Sequence, residues 1–236
     1  MKKSIQDLLA LQEIDLRIRE LENRCRAIPA ERAAIVAEFE VVKKAYLAAS
    51  AAVQQVEKNI RQCQSDAASE QENLKSSKIR SATVRKAAEY DAINTQIAGC
   101  EKRISDLETK ELELLEELDA AKENWQKAER TYKSTGRLAQ RDVRELDALK
   151  EKILAEIKTK AAESREKEKN VSQSLLPRYK QLLASGKGRP VSAIDGELCG
   201  NCCLTLPPSS LLNASKGELI ECDHCSYFLY DPNAKN

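Results

Sequence analysis

From Leu11 to Leu74, apolar residues recur at alternating steps of three and four, and seventeen of the nineteen stripe positions are apolar. A seven-residue repeat held over nine heptads predicts one long helix whose stripe must be covered along its whole length by another helix. A second stripe, from Tyr90 to Ile153, is equally long, with sixteen of nineteen positions apolar. Two matched arms joined by a short segment predict an antiparallel hairpin, each paired arm about 100 Å long at ~1.5 Å per residue. The fold class expected is mainly α, with arms at about residues 4–75 and 86–185 and a tip at 76–85.

Placing Leu74 against Tyr90 sets a register in which Phe39 faces Trp125, Cys63 faces Cys100, and Arg32 lies over the ring of Tyr132. The same register puts Pro29 beside Gly136. Both residues weaken helices, so a bend is expected near 29 and 136. It also leaves some twenty residues of the second arm overhanging the first. Within that overhang Ser174 and Pro177 read as a helix restart, and Gly186 and Gly188 as its end.

Composition narrows the function. Aromatic residues make up 4% and charged residues 33% of the chain, which argues against a thick globular core. A formal net charge of +1 excludes a global nucleic-acid glove or acidic-substrate funnel. The N-terminal segment meets Asp7, Glu13 and Asp15 before any unbroken apolar run, so neither a signal peptide nor a membrane span is expected, and the chain reads as cytoplasmic. Its eight cysteines are then expected to be reduced, buried or metal-bound. One charge cluster is local. Lys75, Lys78, Arg80, Arg85 and Lys86 give the tip +5 with no acidic residue from Asn73 to Ala88. Such a run is either a solvated turn or a knob for an acidic partner or a phosphate backbone.

The chemistry lies after residue 190, where short β-like pieces and an Asp195-Gly196 turn signal replace the heptads. Cys199-Gly-Asn-Cys202 and Cys222-Asp-His-Cys225 are two C-x2-C knuckles with the spacing of a four-cysteine zinc ribbon, expected over 190–233. Four protein ligands saturate a tetrahedral ion, so one structural Zn2+ is expected rather than a catalytic one. Cys203 and His224 are read as lying outside the ligand set. From Gly196 to Asp231 the ribbon carries a net −4 before any metal is counted. That sign repels phosphate and suits protein contact, with Tyr227 and Phe228 among the residues expected to meet a partner.

Tip-proximal Glu89-Tyr90-Asp91-Ala92-Ile93, LLPRYKQLL, CGNC, LTLPP and CDHCSYFLY occur in this order along the chain. In these motifs the chain resembles the bacterial family of long coiled-coil hairpins ending in a four-cysteine zinc ribbon, and looks like a chlamydial member of it. The resemblance implies a non-catalytic adaptor or chaperone-like regulator that binds the alternative sigma factor sigma-54, type III secretion components, or both; some members are associated with RNA. Ser226 and Tyr227 stand where the family usually has glycine and arginine, and Ala87 and Ala88 depart from it near the tip.

The residues themselves point away from catalysis. There is no phosphate-cradling glycine loop, and a Ser-His-Asp triad would have to recruit a knuckle histidine. Three readings therefore stand: a protein-binding adaptor, a nucleic-acid binder using the tip with Arg178, Lys180, Lys187 and Arg189, and a homodimeric tether.

Overall fold

The structure is a computed structural model that describes residues 2–186 and 188–234; Met1, Lys187, Lys235 and Asn236 lie outside the described residues. Two long helices, α1 (Lys3–Ser81) and α2 (Ala87–Glu168), form the coiled-coil hairpin. After them come α3 (Leu176–Ser185), β1 (Val191–Asp195), β2 (Leu198–Cys199), α4 (Pro208–Ser215), β3 (Ile220–Glu221) and β4 (Phe228–Tyr230). The chain divides into two compact units, Ala33–Val143 and Met1–Arg32 with Arg144–Asn236. The ribbon therefore belongs with the hairpin's base instead of forming a unit of its own.

In Ala33–Val143, α1 and α2 are joined by a turn over 82–86, shorter and later than the expected tip at 76–85. Thr83 closes it, its N–H and its Oγ1 both donating to the Arg80 carbonyl at 3.1 and 2.9 Å. The stripe appears as read: from Ile35 to Leu74 and from Ile93 to Asp142 every stripe position is buried or half-buried. Tyr90 is the exception and lies 47% exposed.

The expected register is corrected. Tyr132 stacks between Phe39 and Tyr46, with ring centroids 5.4 and 4.8 Å away. The Cys63 thiol donates to the Leu107 carbonyl at 3.3 Å, whereas Cys100 accepts from Arg103 at 3.2 Å. The two helices are thus displaced by about three turns from the inferred pairing. Core positions recur every three or four residues, so a slip of whole layers keeps both stripes inward and leaves periodicity unable to choose.

Gly136 has a packing role that its low helix propensity concealed: a Cβ there would lie 3.1 Å from the Phe39 ring. Where a bend is expected, both helices run on, α1 through Pro29 and α2 through Gly136. An ion pair between Arg24 and Glu31 spans Pro29 on the helix surface.

In the base, the expected overhang is covered. Leu8 and Leu11 are fully buried in one core with Val171, Tyr179, Leu182, Val191, Tyr227 and Phe228. The second arm is two helices, with α3 separated from α2. Pro177 lies in the first turn of α3, but Leu175 holds the cap position without a side-chain bond, and Ser174 pairs with Ser172 instead at 2.9 Å. Gly186, at φ 69°, ends α3 as expected. Arg32, expected over Tyr132, makes an ion pair with Asp147 at 3.3 Å.

The four strands form one sheet in the order β2-β1-β4-β3. β1 runs parallel to β4, with Val191 beside Phe228, and the outer pairs are antiparallel. α4, absent from the β-type expectation, starts at Pro208, where a missing N–H costs nothing.

Candidate metal centre

Each knuckle is a tight backbone turn, and the two are built alike. Cys203 N–H donates to the Cys199 carbonyl at 2.9 Å, and Ser226 N–H to the Cys222 carbonyl at 2.8 Å. The return bonds also match: Cys199 N–H to Leu204 and Cys222 N–H to Tyr227, both 2.9 Å. Closing so tightly puts the residue after the second cysteine in the left-handed region, Cys203 at φ 60° and Ser226 at φ 59°. A glycine would hold either position without strain, which explains why glycine suits the position of Ser226. Within the first knuckle Gly200 is required by space, because a Cβ would lie 2.1 Å from the Ala193 carbonyl oxygen.

The turns aim four sulfurs at one point. All four Sγ atoms of Cys199, Cys202, Cys222 and Cys225 lie within 4.8 Å of one another, with Cys199–Cys225 at 3.7 Å and Cys202–Cys222 at 3.8 Å. A tetrahedron with Zn–S bonds of about 2.3 Å has edges of about 3.8 Å, so the donor set fits a tetrahedral ion such as zinc. Knuckle amides face the sulfur of Cys199, Asn201 N–H at 3.4 Å and Cys202 N–H at 3.5 Å. The Asn201 side chain reaches Cys225 Sγ at 3.8 Å, a contact that the C-x2-C spacing did not signal. Burial pushes the Cys225 thiol up to about 12. A divalent cation among the sulfurs would reverse that order, because a coordinating thiol is deprotonated outright. Cys203 and His224 are exposed, and neither is part of the cluster.

The centre is tied to the hairpin by single polar contacts that sequence periodicity did not reveal. Gln12 of α1 exchanges two hydrogen bonds with the Val191 backbone, at 2.8 and 2.6 Å. Arg178 of α3 donates to the Ser226 carbonyl at 3.0 Å and lies 3.7 Å from Glu221. Asp15, buried on α1, accepts from Ser164 at 2.6 Å and from Tyr179 at 2.8 Å. Burial, and next the Asp15 carboxylate, push the Tyr179 phenol above its ordinary value. For Gln12 and Asp15 the one signal was a polar side chain set among the apolar residues at the start of α1.

Two expected partner-binding residues are corrected. Tyr227 and Phe228 are core, 6% and 3% exposed, and the Tyr227 hydroxyl is 2.6 Å from Ser185 Oγ. They face inward because β4 lies between β1 and β3, against α3 and the first turns of α1. Lys75, Lys78, Arg80, Arg85 and Lys86 are exposed at the tip, where Lys78 pairs with Glu101 at 2.9 Å and Lys86 with Glu89 at 3.4 Å. Arg178 and Lys180 are in ion pairs with Glu221 and Glu168. Lys187 lies outside the described residues.

The model of the CT398-like coiled coil hairpin domain matches residues 11–187, three quarters of the chain. The chain belongs to the CT398-like coiled-coil hairpin family. Solved structures extend the likeness through the ribbon. CT398 from Chlamydia trachomatis is 21% identical with a TM-score of 0.82, covering 96% of this chain and 97% of that one. A Mycobacterium smegmatis protein is 16% identical with a TM-score of 0.76, covering 98% and 100%. HP0958 from Helicobacter pylori is 14% identical with a TM-score of 0.56, covering 99% of both chains. At these identities the likeness is one of fold. No functionally curated protein matches the chain. Among the described residues no helix is long and apolar enough to cross a membrane.

Proposed function

We propose that this protein is a non-catalytic adaptor, a chaperone-like regulator whose ribbon carries one structural Zn2+ and binds a protein partner. The observation that carries this reading is the closed four-sulfur centre. Four thiolates on one tetrahedral ion leave no position for an activated water, so the metal supplies rigidity and not turnover. The ribbon made rigid in this way turns Leu198, Leu204 and Leu212 outward, 40%, 49% and 58% exposed. Together with the ribbon's net −4 they suit protein contact and disfavour phosphate. The motif resemblance supplies the partner class: sigma-54, a type III secretion component, or both, met in the cytoplasm.

The test is recovery of the tagged chain from its native bacterium after cross-linking, with partners identified by mass spectrometry. Stoichiometric recovery of one of those partners, lost on paired Cys222→Ser and Cys225→Ser substitution, supports the reading. Recovery unchanged by that pair removes the ribbon from it, and recovery of RNA in place of protein moves the function to nucleic-acid binding. Metal analysis of the purified chain is expected to give about one zinc per chain.

A further inference from the structure

The tip carries apolar surface where a merely solvated turn would not. Gln71, Leu74, Lys75, Lys78, Ile79 and Ala82 line a shallow groove of about 500 Å3 along the last turns of α1. Ile79 is 61% exposed there, and Tyr90, on the first turn of α2, is 47% exposed. The charges of the same tip segment are sorted. Lys78 and Lys86 are held by Glu101 and Glu89, while the exposed side chains of Lys75, Arg80 and Arg85 meet no carboxylate among the described residues. Thr83 pins the turn that fixes this arrangement through its two bonds to Arg80.

We propose that the hairpin tip is a second docking site, separate from the ribbon, for an acidic amphipathic helix of a partner protein. Its apolar face would cover Leu74, Ile79 and Ala82, and its carboxylates would meet Lys75, Arg80 and Arg85. A phosphate backbone fits less well, because it draws on cations alone and gains nothing from the exposed Ile79 in the groove. The inference rests on the adaptor reading only in taking the partner to be a protein.

The probes are three fluorescein-labelled helical peptides that share one leucine face and carry Glu, Gln or Lys on the polar face. They are titrated by anisotropy into the full-length, metal-loaded chain. The Glu peptide is expected to bind at least about tenfold more tightly than the Gln peptide, and the Lys peptide not at all. Ile79→Asp, and separately Lys75→Glu with Arg80→Glu, are each expected to weaken the Glu peptide by about tenfold with the helical circular dichroism unchanged. Equal binding of the Glu and Gln peptides, or indifference to Ile79→Asp, overturns the proposal. A single-stranded RNA oligomer that binds through Lys75 and Arg80 and ignores Ile79→Asp overturns it in favour of phosphate. Failure here with ribbon-dependent partner recovery intact removes the tip site alone and leaves the adaptor reading standing.

Discussion

The segment Ala33–Val143 and the base formed by residues up to Arg32 and from Arg144 onward hold themselves together in different ways. In the first, one stripe is repeated layer after layer, Val56, Ile60, Cys63, Leu114 and Leu118 forming one cluster of it, with a few singular contacts such as Tyr132 between Phe39 and Tyr46. In the second, unique side chains make unique contacts: Gln12 on Val191, Asp15 on Tyr179 and Ser164, Arg178 on Ser226, and four cysteines on one point. A repeating core can slip by a layer at little cost. A core made of singular polar contacts has one register, because a buried donor or acceptor left unpaired costs about 1–3 kcal/mol. The base therefore has one alignment of its own, where periodicity alone leaves several open in the repeat.

Removing the metal that the four-cysteine cluster is proposed to hold is expected to show the contrast most strongly. A strong chelator, or Cys199→Ser with Cys222→Ser, should unfold the ribbon while most helical circular dichroism persists, since structural zinc contributes on the order of 10 kcal/mol to folding such a segment. Loss of the whole helical signal would break the comparison. Acid should release the metal as protons compete for the thiolates, so metal content measured from pH 7 downward is expected to fall.

Tyr179→Phe should cost about 1–3 kcal/mol by stripping a donor from buried Asp15. Its pH signature has a definite sign. The folded phenol holds its proton above the ordinary value of 10.0, so its contribution is intact below that pH. It is lost as pH rises further, because only the unfolded chain releases the proton. Denaturant melts of the parent should therefore weaken above pH 10 more than those of the Phe variant.

Gln12→Ala, which frees both Val191 backbone groups, is expected to cost about 1–2 kcal/mol and to speed amide exchange at Val191. The smallest effect has the opposite sign. Ser226→Gly should stabilise the ribbon by up to about 1 kcal/mol by relieving its left-handed backbone, offset in part by the added freedom of the unfolded chain. A melting temperature that falls instead would show the Ser226 side chain to be needed where it is.

The hairpin, its two stripes and the four converging cysteines were all legible in the residues, because heptads and C-x2-C knuckles are local patterns. Gly136 illustrates where local reading fails: seen alone it is a weak point, yet it makes room for Phe39. Tyr227 and Phe228 show the same limit, since an aromatic beside a knuckle belongs equally to a surface or a core until α3 and α1 are placed against it.

By itself, then, the sequence determined which face of each helix is inward, where the chain reverses to within a few residues, and which thiols converge. Tertiary structure decided the register between the arms, the packing of α3 and the ribbon onto the first turns of α1, and which aromatic residues are buried. The reason is common to all three. Each depends on pairing residues distant in the chain, among alternatives that bury nearly the same apolar area, and that choice falls to a few hydrogen bonds such as those of Gln12 and Asp15.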